Sequence, residues 1–428
     1  MSDDQGMLNS SEEIHSSQAA LTPATTRRVF RPAKPVFLTR YLSLFLTLVV
    51  TSGCTTVESF PRDAVPAMHS AESQQAAPLV AGETPVLDLS AYTTVEQLIP
   101  ALAEKRVVFV GENHTRYDHH LIQLEIIRRL HQTHPQLAIG LEIFQQPFQR
   151  YLDDYVAGVI SEQEMLRATE YYQRWRLDYR LYAPILRYAR EHRLPLVALN
   201  LPVELTRKVG RVGLKGLSEE ERARIPAEID RSDAAYEERI KEVFKYHPTN
   251  NGQEFEHFLE VQLLWDEGMA ERAARFLQDN PDHHMVIVAG SGHFAYGSAI
   301  PRRLTRRLET STAIILNNWG GVIEPGLADY LLLPAEHRLP PAGKMGAILD
   351  EEEGALKVTA CLDDSPCAAA GLQAGDRILS IDDETIDSLA DLRLALWDKQ
   401  PGDTIRVDIL HKRWFSAGKT ITYEMTLK

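Results

Sequence analysis

The chain has 428 residues, 44% of them hydrophobic and 25% charged, and carries a net charge of −14 at neutral pH. That length supports two or three domains with real cores, and the composition is that of an ordinary globular protein. The first 53 residues hold five basic and four acidic side chains, so the remainder stands at −15, an acidic body that argues against nucleic acid as a partner.

Residues 1–53 read as a lipoprotein signal peptide. Arg27, Arg28, Arg31, Lys34 and Arg40 form a positive region, followed by the apolar stretch Tyr41–Val50, too short for the ~20 residues that cross a bilayer. Thr51-Ser52-Gly53-Cys54 then resembles a bacterial lipobox, with Cys54 as the lipidated residue; the alternative is an uncleaved signal anchor. A diacylated cysteine anchors a protein stably, and Thr55 at the next position resembles the default sorting to the outer membrane, facing the periplasm of a Gram-negative bacterium. Residues 54–85 lack periodicity and predict a flexible tether. Apart from Cys54 the chain holds Cys361 and Cys367, either bonded in an oxidising compartment or both free.

From residue 86 the pattern predicts an α/β domain to residue 320. Apolar runs at 106–110, 137–141, 194–199, 285–289 and 312–316 alternate with helical stretches, which predicts a mostly parallel sheet with flanking helices. A charged helical insertion at about 205–280 is placed to act as a lid over the sheet edge, and 170–192 is rich in aromatics. Residues 321–341, with four prolines, predict a linker.

Four strands finish on a polar residue with chemistry. Gly111-Glu112-Asn113-His114 follows the first, Glu142 the second, Asn200 the third, and Gly290-Ser291-Gly292-His293 the fourth. In open α/β sheets ligands bind at this carboxyl edge. Two imidazoles with one or two carboxylates suit a divalent transition metal, with His114, Glu142 and His293 as ligands. The set Glu112, His114, Glu142 and His293 equally suits acid–base catalysis. No Gly-x-Ser-x-Gly word or dinucleotide loop is present. His119 and His120 begin a helix and are expected to face solvent.

The words Gly-Glu-Asn-His, Gly-Leu-Glu-Ile-Phe (140–144), Ala-Gly-Ser-Gly-His-Phe-Ala-Tyr-Gly (289–297) and Asp266-Glu267-x-Met269-Ala270 resemble the ChaN-like branch of the Tiki/TraB/erythromycin-esterase superfamily. The resemblance covers about 86–320. It implies a haem-binding, iron-uptake lipoprotein in which haem sits between the protomers of a homodimer and a tyrosine ligates the iron. Tyr236 and Tyr246, the latter beside His247, are the candidates in the lid, with Tyr171, Tyr172, Trp175 and Tyr179 behind them. Related branches imply instead a metal-dependent protease or esterase built on the same histidine pair.

Residues 342–428 are β-rich, and Ser365–Ile378 resembles the matching segment of HtrA-type PDZ domains. A peptide would add a strand to the sheet edge, its carboxylate held near Met345, Gly346, Ala347 and Ile348, with the Leu389-Leu392-Leu396 helix as the other wall.

Overall fold

The computed structural model describes residues 93–246, 252–317, 321, 323–352, 354–411 and 418–428. Cys54, the signal segment, the tether and His247 lie outside these residues.

Six strands form the first sheet: β1 (Val107–Glu112), β2 (Leu137–Gln145), β3 (Leu196–Asn200), β4 (His284–Gly290), β5 (Thr312–Asn317) and β6 (Tyr330–Leu332). Their order is β3-β2-β4-β1-β5-β6, and every pairing is parallel. The central strands are buried along both faces, as uninterrupted Val, Ile and Leu runs require. Alternation divides them: Val108, Val110, Ile139, Val286 and Ile315 face one layer of helices. Val107, Phe109, Met285, Ile287 and Leu316 face the other.

The insertion of β4 between β1 and β2 is the topological fact that matters for function. It makes Glu112 and Gly290 register partners, so two histidine words nearly 180 positions apart end on adjacent strands. Both words need their glycines. A Cβ on Gly111 would stand 2.7 Å from Leu316 Cδ2 and 2.8 Å from Ser291 Oγ, and one on Gly290 would stand 3.0 Å from His114 Cε1.

Two expected segments differ from the sequence reading. Residues 321–341, expected to be only a linker, contribute β6, which pairs with β5 from Ile315↔Tyr330 to Asn317↔Leu332; the prolines flank this three-residue strand and do not interrupt it. The expected lid is lid-like only in part. The 28-residue helix Gly252–Asp279 puts Met269, Ala270, Ala273 and Leu277 into the core against the sheet. Asp266 and Glu267 on this helix are buried as well, so its charge did not mark an outer layer. The outer layer is the preceding segment, with Leu205, Val209, Leu217 and Ile225 packed on Leu264 and Tyr236 on Leu259 and Leu263.

The C-terminal region is an antiparallel sheet of β7 (Ala347–Glu352), β8 (Ala355–Cys361), β9 (Arg377–Ile381), β10 (Glu384–Thr385), β11 (Thr404–His411) and β12 (Lys419–Thr426). The order is β12-β11-β9-β8-β7, with β10 on β9, so β7 is an edge. The helix Leu389–Ala395 faces two ways. Leu392, Ala395 and Leu396 join this region's own core, whereas Ala390, Leu394 and Trp397 pack on the α/β core. The ring of Trp397 lies 5.8 Å from that of Tyr179, and Arg393 donates to the Arg176 carbonyl at 2.6 Å.

Cys361 and Cys367 are bonded, with Cα atoms 5.5 Å apart, which resolves the alternative left open by spacing. Replacing both by alanine should cost about 2 kcal/mol, the chain-entropy figure for so short a loop. A denaturation midpoint unmoved by the double substitution would mean that the bond does not constrain the unfolded chain.

Candidate functional site

The site is built from the carboxyl ends of β1, β2 and β4 and the middle of the Gly252–Asp279 helix. Glu112 is the last residue of β1, and His114 follows two positions later. The His114 Nδ1–H donates to Glu112 Oε1 at 2.7 Å, and the Tyr182 hydroxyl donates to the same oxygen at 2.7 Å. The other word has the same construction. His293 Nδ1–H donates to Asp266 Oδ1 at 2.6 Å, and the Tyr236 hydroxyl donates to Asp266 Oδ2, also at 2.6 Å. Each imidazole is therefore gripped from behind by a buried carboxylate that is itself fixed by a tyrosine. Such backing sets ring orientation and tautomer, leaving Nε2 to face forward.

Glu142 occupies the space in front. Its Oε1 is 3.4 Å from His293 Nε2, and its Oε2 accepts the Gly290 N–H at 2.8 Å. The structure thus brings together Glu112, His114, Glu142 and His293. Asn200 arrives differently: its side-chain amide donates to the backbone carbonyl of Glu142 at 3.1 Å, holding β3 to β2.

His119 and His120 do not face solvent; both are buried. The loop after β1 is so short that the first turn of the Tyr117–Thr133 helix lies beneath the strand end. Most polar groups there find partners within the turn and strand end, the His119 Nε2 being an exception. His120 Nδ1 is 2.8 Å from Glu112 Oε2 and its Nε2 is 3.1 Å from the His114 carbonyl, while Gln123 donates to the Val110 carbonyl at 3.0 Å. His119 Nδ1 accepts the Asn113 N–H at 3.0 Å. Burial, only partly opposed by Asp118, lowers the His119 pKa to about 4, so it is neutral.

Trp175 sets its ring edge-on to His114, 4.9 Å between centroids. The aromatic stretch thereby joins the site on one side and the C-terminal domain, through Tyr179 and Trp397, on the other. Tyr182, Asp266 and His120 are the residues to which sequence reasoning attached no role, and Trp175, a haem candidate from sequence, packs instead on His114. Asp266 left a trace in the Asp-Glu-x-Met-Ala word, but no role could be attached to it without its partner.

Burial weakens the charged form of every group here, and the neighbours reverse that. Burial pulls His293 down, but Glu142 and Asp266 outweigh it and hold the imidazole at about 10. His114 is raised by Glu142 and Glu112 against the same burial. Burial pushes Glu112 and Glu142 upward; the surrounding imidazoles, and for Glu142 the Gly290 N–H as well, bring both below their usual 4.5. At neutral pH His293 is an imidazolium beside carboxylates, an acid and charge stabiliser rather than a base.

Because the His293 pKa is higher folded than unfolded, its contribution is complete below pH 6.5 and is lost as pH rises towards 10. The two glutamates contribute above 4.5 and lose that contribution as pH falls below it. Stability should therefore decline from pH 6.5 upward by roughly 1.4 kcal/mol per unit for one such histidine. His293→Gln should flatten that slope in denaturant titrations; an equal slope in both proteins would contradict the assignment.

The donor set fits neither a metal nor a porphyrin. Among the described residues, no cluster of three or more His, Cys, Asp or Glu side chains is arranged to hold a metal ion. Of the expected ligands, Glu142 and His293 are engaged with each other, with the Gly290 N–H and with Asp266, and a metal would have to displace the His293 proton. A porphyrin does not fit there either, since His293 and Glu142 are buried and the tyrosine hydroxyls are committed to carboxylates. Tyr236, proposed from sequence as an iron ligand, is one of these, and burial with Asp266 raises its pKa well above 10. Tyr246 is different. It is 69% exposed just past the Ala234–Phe244 helix, near exposed Val243 and beside Lys245. An accessible phenol with an apolar neighbour fits the chemistry that haem iron demands, although Lys245 is itself paired with Glu242.

A parallel α/β domain with paired Tyr–carboxylate–His units at its strand ends, joined to an antiparallel β-rich domain, is the class these observations define. Residues 98–304 match the family model described as haem-binding uptake, Tiki superfamily, ChaN, and residues 343–424 match the PDZ domain. The chain thus carries a ChaN-like domain of the Tiki superfamily followed by a PDZ domain. Among proteins of known sequence, it is 27% identical over 241 residues to Protein RETICULATA-RELATED 5, chloroplastic, of Arabidopsis thaliana. That match covers 50% of this chain and 31% of the relative, so the chain spans about a third of the plant protein's length. Among solved structures it is similar to ChaN of Campylobacter jejuni with cofacially bound haem, at 18% identity and a TM-score of 0.47, covering 56% of this chain and 91% of the other. The PDZ domain of a carboxy-terminal protease from Vibrio cholerae, in complex with peptide, is 16% identical with a TM-score of 0.18, covering 20% and 93%.

Proposed function

We propose that this protein is a lipid-anchored, periplasm-facing haem-binding protein. Its α/β domain takes haem or its iron in uptake, and its PDZ domain recruits a protein partner by a C-terminal peptide. The family match over 98–304 supports the cofactor. The signal region ending in Cys54 supports the anchor and the outer membrane. The observation that carries the reading in this chain is the exposure of Tyr246, in contrast to the committed Tyr236. Haem bound there would lie at the surface, where a second copy of the chain completes its cover as a homodimer. When bound, the group would supply an iron centre for carriage, and the hydroxyl oxygen of Tyr246 would hold the iron; Lys241 and Lys245 nearby are paired with Glu238 and Glu242. Titrating the full chain with haemin should shift the Soret band, and Tyr246→Phe should weaken binding by about tenfold or more if the Tyr246 oxygen holds the iron. An unchanged titration removes Tyr246 from the account.

A second reading is favoured by a separate observation, the two imidazoles gripped by Glu112 and Asp266 on either side of Glu142. That arrangement suits hydrolysis, with Glu142 directing water and the His293 imidazolium stabilising developing negative charge. Peptide or ester cleavage abolished equally by Glu142→Gln and His293→Gln would establish it; no cleavage of any substrate by the unaltered protein would reject it.

A further inference from the structure

The PDZ groove has a charge pattern that its fold does not require. Strand β7 is an edge of its sheet. Along it Ala347 and Leu349 pack towards the PDZ core, while Ile348, 50% exposed, and then Asp350 and Glu352 lie on the outer, exposed face. The opposite wall begins at Leu389, which is 38% exposed. The Leu389 N–H donates to Glu351 Oε2 at 3.0 Å, tying the strand to the start of the helix and setting the width between them.

The end near Met345–Ile348 is fixed by its surroundings. The Cys367 N–H donates to the Met345 carbonyl at 2.9 Å and the Leu362 N–H to the Gly346 carbonyl at 2.8 Å. A Cβ on Gly346 would lie 2.3 Å from Ser365 Cβ, so the loop and the Ser365 cap are locked together. With the peptide carboxylate at this loop, the direction of an added antiparallel strand is determined. The residue before the terminal one would then lie opposite Ile348. Alternation then carries the third and fifth residues before the terminal one to Asp350 and Glu352. Three carboxylates, Asp350, Glu351 and Glu352, line this stretch. The facing cation on β8 is Lys357, register partner of Asp350, whose Nζ lies 2.8 Å from Glu352.

Resting on the reading that the PDZ domain binds C-terminal peptides, we propose that its groove selects partners with an apolar carboxyl-terminal segment preceded by basic residues. The apolar part meets Ile348 and Leu389, and the basic part meets Asp350 and Glu352. Charged edge residues also keep sheet edges from pairing indiscriminately. If that were their entire role, peptide charge would not affect affinity.

The test uses the full chain in non-ionic detergent and three labelled peptides with the same apolar carboxyl-terminal residues. They carry Lys, Ala or Glu at both the third and fifth positions before the last residue, and binding is read by fluorescence polarisation. The Lys peptide should bind about fivefold or more tighter than the Glu peptide, the ratio expected of two cross-strand charge pairs. The ratio should shrink in high salt, and Asp350→Lys should reverse it. Equal affinities, or a preference for Glu, overturn the charge selection while leaving peptide binding intact. No binding of any of the three overturns the peptide-binding reading itself.

Discussion

Asp266→Ala is expected to lower the stability of the α/β domain by about 3–5 kcal/mol, the cost of leaving a buried charge without its partner. Asp266 is 2% exposed and accepts from both His293 Nδ1 and the Tyr236 hydroxyl. Its removal strands two buried donors at once. The His293 pKa should fall from about 10, so the decline of stability above pH 6.5 should flatten as it does in His293→Gln. Asp266→Asn keeps an acceptor oxygen of the same shape and should cost markedly less. Denaturant titration of the variants checks this. A loss below about 1 kcal/mol for the alanine variant would mean that the histidine is not held as described, since that is the worth of an ordinary hydrogen bond.

Glu267→Leu should be as damaging, for a different reason. Glu267 is fully buried and forms ion pairs with three arginines of the Ile300–Arg307 helix. Arg303 Nε is 3.2 Å from it, Arg306 Nη2 2.9 Å and Arg307 Nη2 2.6 Å. It also accepts the Asp230 N–H at 2.8 Å. Arg306 and Arg307 are partly exposed and can turn to water, but Arg303 is 1% exposed and cannot. A loss of about 3–5 kcal/mol is expected for an unpaired buried guanidinium. Adding Arg303→Met to Glu267→Leu should recover much of that loss, because an apolar pair replaces a buried ion pair at little cost. If the double variant is no more stable than the single, Arg303 is not the strained partner. The two neighbouring acids Asp266 and Glu267 thus hold different halves of the fold, one the site and the other the helix that covers the sheet.

The sheet was legible because its strands are continuous apolar runs ending on polar residues, and the histidine words marked where two of them end. Strand β6 was not, since three residues among prolines carry no periodic signal. The site was half legible. His114, Glu142 and His293 follow strands directly, so counting along the chain finds them. Asp266 sits mid-helix and Tyr182 in an aromatic stretch, and only the tertiary fold sets them behind the imidazoles. His119 and His120 show the limit of the rule that polar residues at a helix start face solvent. The rule fails where the preceding loop is short enough to tuck the first turn under a strand end. Tyr236 and Tyr246 looked alike in sequence, ten residues apart on one charged segment, and differ only in what surrounds them.

We propose that the strand-end cluster and the haem ligand are separate features of one domain. Parallel haemin titrations of the full chain, Tyr246→Phe and His293→Gln, followed at the Soret band, test it most directly. Separate features require that Tyr246→Phe lose the band shift while His293→Gln keeps it. The reverse pattern, binding lost with the histidine and retained without the tyrosine, would place the haem at the strand ends and contradict the account.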